Sequence, residues 1–403
     1  MLCPPTAAGS PSVAAEPLAL VGARLVDGTG AKPVDDVTVT IEGGRIASVA
    51  AGAPAPEGAR VLDLEGRTLM PGLVEAHVHM SSLDVPRELE AHGVAKAARD
   101  FLAGGITTIR DVGSYGRSLF DLRDAIALGL CDGPRMVLCG QIVAATSAGA
   151  RTFTTMYRPA DGPDEMRRAV REQLAQGADF VKTMVTGALN VVHEGIDPPQ
   201  LTRKELHAIL DEAHRHGFLV AAHAEGVEGI RLAVELGVDT LEHGEQSWRA
   251  PEALAAMAER GIVLVPTLCL FPLIEELERL PRWMRERAKA LGEEAGRTVR
   301  AAKAAGVQMA MGADAGPHGE NARELVLLVE AGLSPMEGIV AATSVGARTC
   351  ALQDELGTVE AGKAADLLVL DGDPLADVRI FTQPERRWLV LKDGLPLAGS
   401  AAG

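Results

Sequence analysis

Between about Met70 and Leu352 the chain repeats one rhythm, a short apolar run followed by a longer stretch with helical spacing. The apolar runs are "GLVEAHVHM", "GITTIRDVG", "PRMVLCG", "DFVKTMVTG", "FLVAAHAEG", "DTLEHGE", "GIVLVPTL" and "VQMAMGADAG". Between them lie segments such as "DEMRRAVREQLAQGA" and "TRKELHAILDEAHRHG", with apolar residues at i, i+3 and i+4 and a closing glycine that marks a helix stop. A strand apolar on both faces must be covered on both faces, the condition of a parallel sheet packed under helices. Eight such units predict an α/β fold with a closed (β/α)8 TIM barrel rather than an open doubly wound sheet. No G-x-G-x-x-G turn follows the first run to favour a dinucleotide-binding alternative.

The two ends read differently. From Leu18 to Leu69 the text consists of short β-rich runs broken by turn residues, and "VTVTIEGGRIASVA" alternates around Gly43-Gly44 as a hairpin does. A similar texture returns in "GTVEAGKAADLLVLDGDPL" and "RRWLVLKDGLPLAG". The expected organisation is a loose extension at 1–16, a small β-sandwich domain contributed by 17–69 and 353–403, and the barrel at 70–352 between them. A length of 403 residues suits a barrel of roughly 250 residues plus a smaller unit.

Composition narrows the function. An apolar share of 47% with 23% charged residues is that of a globular chain with a large core. A net charge of −16 disfavours nucleic acid and anionic membranes, both of which need a basic footprint, and leaves small-molecule chemistry. Cys3, Cys131, Cys139, Cys269 and Cys350 are scattered without a C-x-x-C pair and read as reduced thiols of a cytoplasmic protein. Residues 1–16 have neither the basic start nor the apolar core of a signal peptide, and no membrane-length apolar stretch occurs.

Polar residues gather at the carboxyl ends of the apolar runs, where barrel enzymes place their chemistry. His77 and His79 stand at i and i+2 of the first run, hence on one side of a strand, and could share one ion. His223 closes the fifth run and His243 the sixth, and Asp314 follows the eighth. Each histidine alone could equally be a hydrogen-bonded core residue. A carboxylate at such a place must be paired or bound to a cation. Four imidazoles and one carboxylate at equivalent strand ends suit zinc or a similar transition metal. Lys182, in "DFVKTMV", is the most informative residue, because a lysine within a buried parallel strand needs a partner. It is either salt-bridged to a carboxylate such as Asp314 or so desolvated that its amine reacts with carbon dioxide, giving a carbamate able to bridge two metals.

"MPGLVEAHVH", "DFVK", "AAHA", "LEHG" and "GAD", in this order and spacing, together with the closing "GTVEAGKAADL", resemble the metal-dependent amidohydrolase superfamily, in its imidazolonepropionase-like, zinc dipeptidase-like branch. The likeness runs from about residue 18 onward. It implies that His77 and His79 with Asp314 hold one metal, His223 and His243 the other, and carboxylated Lys182 bridges them. It further implies two divalent ions, zinc by preference, a hydroxide shared by them as nucleophile, and Asp314 as general acid and base in hydrolysis of a C–N bond. Substrates known in the branch include dipeptides, amide-linked toxins, and aryl ureas or carbamates, and a homo-oligomer is the family habit. Alternatives are a mononuclear deaminase or imidazolone-ring hydrolase, which would not need Lys182, and a non-catalytic scaffold, which would be expected to lose ligands that are all present here.

Tyr157, after the third run, and His193, after the fourth, are the candidate donors to a substrate carbonyl. Ordinary packing or surface roles suit them equally. His318 follows Asp314 and could touch substrate, whereas His92, His207, His214 and His216 fall in helical segments and receive no catalytic role. Where the branch carries a Gly-Gly-His-Gly-like turn this chain has "QIVAATSAG", and a double glycine after Lys182 is replaced by "GALN". Substrate choice therefore cannot be transferred from a relative.

Overall fold

The computed structural model of the chain describes residues 16–81 and 85–402. Cys3 and nearly all of the extension at 1–16 lie outside the described residues. Seven of the eight apolar runs form strands at Leu73–Val78, Ile106–Asp111, Arg135–Leu138, Val181–Met184, Val220–Ala224, Thr240–His243 and Val263–Val265, paired in parallel within two sheets. The third run breaks at Gly140 and resumes as Ile142–Ala144, which lies beside the fourth strand. The eighth run differs from expectation: it forms isolated bridges, Leu264 with Met309 and Val78 with Asp314, instead of a regular strand. Its amides still join the seventh strand to the first, because Ala310 N donates to Leu264 O and Ala76 N to Met311 O. This seam closes the (β/α)8 barrel.

The predicted amphipathic segments become helices Pro163–Ala175 and Arg203–Arg215, the latter opened by a capping box between Thr202 and Glu205. Their buried faces carry Met166, Ala169, Val170, Leu206, Ile209 and Ala213, which pack over strand residues Val181, Val220 and Ala222. No helix among the described residues is long and apolar enough to cross a membrane.

Both ends of the chain meet in one further sheet, as the matching texture of the termini implies. Strand Leu367–Leu370 pairs antiparallel with Thr68–Pro71, immediately before the first barrel strand. Val34–Glu42 and Arg45–Ala51 form the expected hairpin, with Gly43 at φ 57° and Gly44 at φ 80°, a combination that L side chains resist. Leu20, Val39, Leu69, Leu367, Leu389 and Leu391 fill the core of this β-sandwich domain. Cys131, Cys139, Cys269 and Cys350 are all free thiols.

Packing is close where the eighth run crosses the first strand. A Cβ placed on Gly312 would lie 2.6 Å from Val265 Cγ1, 2.7 Å from His77 Cβ and 2.9 Å from His77 N. Gly296, within helix Arg282–Ala305, has only the flexible end of Arg300 at 3.8 Å. Gly312→Ala is therefore expected to destabilise the chain by about 1–3 kcal/mol, and Gly296→Ala to stabilise it by up to about 1 kcal/mol. Thermal or denaturant unfolding checks this, and shifts of the same sign would contradict the packing described.

Candidate metal centre

The predicted histidines and Asp314 converge at the carboxyl end of the barrel, each by its own local device. Strand alternation places Glu75 and His77 on one face, with His79 just beyond the strand. His223 is buried inside the fifth strand. His243 needs more. Thr240 and Glu242 share a strand face, as their 2.5 Å contact shows, so alternation alone would turn His243 away from it. Its left-handed backbone, φ 68°, bends the ring back toward the other histidines. Asp314 has the same unusual conformation, φ 63°. Such backbone costs a non-glycine residue roughly 1–2 kcal/mol, so the surrounding fold imposes it.

The four rings form a row. Centroids of His79 and His77 lie 5.7 Å apart, those of His77 and His243 4.8 Å, and those of His243 and His223 4.5 Å. Asp314 Oδ1 stands 3.6 Å from His77 Nε2 and 3.5 Å from His79 Nε2. One nitrogen or oxygen of His77, His79 and Asp314 each falls within 4.8 Å of the others, close enough to hold one ion.

Each ring is also fixed through its other nitrogen. His77 Nδ1 donates to Glu242 Oε2 at 2.6 Å, and His79 Nδ1 to the Gly113 carbonyl at 2.8 Å. His243 Nδ1 meets Thr267 Oγ1 at 2.8 Å. His223 Nε2 lies 3.3 Å from both the Gly187 carbonyl and Glu225 Oε1. Acceptor-only partners settle the tautomers, leaving lone pairs at Nε2 of His77 and His79 and at Nδ1 of His223. His77 Nε2 is buried and has no hydrogen-bond partner. Burial, helped by Lys182, pushes His77 down to about 4. Burial also lowers His79, and it takes His243, flanked by His223 and His77, well below the usual histidine range. Neutral imidazoles with oriented lone pairs, one of them orphaned, fit the demands of a divalent transition metal.

Behind the rings lies a layer of buried ionisable residues to which sequence reasoning gave no role. Glu242 pairs with Arg110 Nη2 at 2.7 Å, both side chains fully buried. Arg110 also donates to the carbonyls of Ala76 and Thr349 and to Thr240 Oγ1. Burial opposes ionisation of Glu242, yet Arg110 and His77 hold it well below the ordinary carboxylate range. Glu75 accepts from the amides of His77 and Ala313, tying the first strand to the Asp314 turn, and burial pushes it up to about 8. Asp111 accepts from Met80 and Gly113, on either side of the His79 contact, and burial raises it to about 7. Glu324 accepts from Leu268 and Cys269, holding the turn that carries Thr267, and burial raises it to about 7. The signal that marked Lys182, a charged residue inside an apolar run, also marks Glu75, Arg110, Asp111 and Glu242.

Lys182 is 2% exposed. Burial lowers its pKa, while the Glu242 and Asp314 charges act in the opposite sense. Among the described residues it forms no salt bridge, so the ion pair with Asp314 is not made. Tyr157 is buried, stacks on Phe153 with centroids 5.5 Å apart, and lies in the field of Glu194, Asp314 and Glu225; burial first, then these charges, raise its phenol far above normal. His193 is exposed on its loop. His318 packs on Phe101 at 4.9 Å, which answers for its position by packing. His92, His207, His214 and His216 are exposed, and His214 pairs with Asp239 at 2.7 Å.

Comparison with known proteins identifies the family. The amidohydrolase family matches residues 68–395. Ochratoxinase of Aspergillus niger is 30% identical over 372 residues, spanning 83% of this chain and 76% of the relative. Imidazolonepropionase of Sphingopyxis alaskensis is 29% identical over 392 residues, 85% of this chain and 88% of its own. A crystal structure of a Xaa-Pro dipeptidase with methionine bound in its active site superposes with a TM-score of 0.87 at 32% identity, covering 94% of this chain and 99% of that one. The chain belongs to the amidohydrolase family, in its imidazolonepropionase- and dipeptidase-like branch, and is a hydrolase acting on carbon–nitrogen bonds.

Proposed function

We propose that this chain is a binuclear metal-dependent amidohydrolase that cleaves an amide, dipeptide, N-acyl amino acid, urea or carbamate bond. The observation that carries the reading is the row of four imidazoles ending on Asp314, with buried Lys182 in the strand beside His223. His77, His79 and Asp314 would hold one ion, His223 and His243 the other, and Lys182 would bridge them. Zinc suits this nitrogen-rich donor set. The ions, when bound, supply a water acidified toward neutral pH and polarise the scissile carbonyl.

The remaining steps belong to the chain. Lys182, desolvated, adds as the free amine to carbon dioxide; its nitrogen bonds the carbon, one proton leaves, and a carbamate anion results. That anion answers the local surplus of neutral ligands, whereas a one-ion site would leave Lys182 a buried lysine without an ion pair. Asp314, its side chain 14% exposed, stands 3.6 Å from His77 Nε2 and 3.5 Å from His79 Nε2. It accepts a proton from the attacking water and delivers it to the departing nitrogen, so no covalent enzyme intermediate is needed. Tyr157, whose phenol burial keeps protonated, would be the donor toward a developing oxyanion, whereas exposed His193 has no comparable support. Relatives with names as different as ochratoxinase, imidazolonepropionase and Xaa-Pro dipeptidase support the bond type and leave substrate choice to the loops.

The direct test is turnover by zinc-loaded protein on dipeptides, N-acyl amino acids, and aryl ureas or carbamates. At least one class should be cleaved, and Asp314→Asn should lower kcat by about 10²–10⁴-fold. Lys182→Ala should lose bound metal and activity together; full retention of both would overturn the bridge. Glu242→Gln should weaken metal binding by about 10–100-fold in chelator competition. It should also destabilise the fold by about 3–5 kcal/mol in thermal melting, because Arg110 loses its partner. Unchanged metal affinity would remove Glu242 from the role of orienting His77.

A further inference from the structure

The loops after the third and fourth barrel strands carry "QIVAATSAG" and "GALN", the stretches that set this chain apart from its branch, and one side chain joins them. Glu194, in the fourth loop, accepts at Oε1 from Gly149 N in the third at 2.6 Å. Its Oε2 accepts from Ala188 N at 3.3 Å. The carbonyl of Glu194 accepts in turn from Arg287 Nη1 at 3.2 Å, so helix Arg282–Ala305 anchors its backbone. A Cβ built on Gly187 would lie 2.6 Å from Glu194 Cβ, and one on Gly149 3.1 Å from Glu194 Oε1. Both loops thus close tightly upon this residue.

From Gly149 the connection runs on to Tyr157. Gly149 O accepts from Phe153 N at 2.8 Å, and the Phe153 ring stacks on Tyr157. Ala150 of the third loop and Ala188 and Val191 of the fourth belong to the same buried apolar cluster as Tyr157. Between Phe153 and Tyr157 the backbone passes through Thr154 at φ 44°, a conformation that a non-glycine residue keeps only where its surroundings impose it. Gln141 Nε2 braces the same turn through Thr155 O at 2.8 Å. Apolar packing fills the cluster but fixes no direction. Charge-assisted bonds from one carboxylate to two amides supply the direction.

We propose that Glu194 is a positioning residue: by fastening Gly149 to Ala188 it fixes the place from which the Tyr157 phenol would donate to the substrate oxygen. The proposal rests on the reading of Tyr157 as the oxyanion donor, and extends it from one side chain to the pair of loops that aims it. Such a donor is effective only if it stands in place before the reaction begins. A misplacement of about 1 Å can cost about 10²-fold in rate.

Two conservative variants separate reach from charge. Glu194→Asp keeps the charge but is one methylene short of the two amides, whereas Glu194→Gln keeps the length and one acceptor oxygen. The chain has two tyrosines, Tyr115 and Tyr157, so zinc-loaded protein labelled with carbon-13 at tyrosine Cζ gives two resonances, which Tyr157→Phe assigns. Glu194→Asp is expected to shift or split the Tyr157 resonance, and Glu194→Gln to move it less. An unmoved resonance in the aspartate variant overturns the proposal. A larger movement in the glutamine variant also overturns it, because the effect would then belong to the charge. With any substrate that turns over, Glu194→Asp should lower kcat about 10- to 100-fold with KM little changed. In a Tyr157→Phe background the same substitution should cost less than about twofold. An equal loss in both backgrounds shows that Glu194 does not act through Tyr157 and overturns the role. A Tyr157→Phe variant as fast as the unsubstituted protein would sink the donor reading instead, and the resonance alone then decides whether Glu194 holds the ring.

Discussion

The ion pair between Arg110 and Glu242 is the contact on which the centre of this barrel depends. Two full charges are removed from water there, a state stable only if every remaining donor and acceptor is used. The fold meets the condition by giving Arg110 the carbonyls of Ala76 and Thr349 and the hydroxyl of Thr240, and by giving Glu242 the Nδ1 proton of His77. The last of these bonds fixes the tautomer of His77 and leaves its Nε2 bare. A structural ion pair thus orients a candidate ligand.

The same economy recurs around the rim. Asp111 holds the backbone that presents Gly113 to His79, and Glu324 holds the turn that presents Thr267 to His243. Glu75 ties His77 to the segment leading into Asp314. Orientation of the candidate ligands therefore lies with buried residues one contact removed from them.

Much of this was legible in the sequence, and the limits have physical causes. Continuous apolar runs separated by amphipathic segments identified the barrel, because only strands covered on both faces can be that apolar. Lys182 and the histidines stood out as polar residues in apolar text. The irregular eighth run did not, since a bridge made by a few amides leaves no periodic trace. Nor did the inward turn of His243: period-two alternation places it opposite Glu242, and the left-handed backbone that reverses this is imposed by tertiary structure. Arg110 and Glu242 are 132 positions apart, so each was visible as a charge and neither as a partner.

The central claim is that the barrel interior desolvates Lys182 so that it completes the centre as an anion rather than remaining an unpaired cation. Carbon-13 NMR of zinc-loaded protein prepared in labelled bicarbonate tests it most directly. The account predicts one carbamate carbon per chain, in slow exchange, absent from Lys182→Ala and lost when the metal is stripped. A fully zinc-loaded, active protein with no carbamate signal would contradict it.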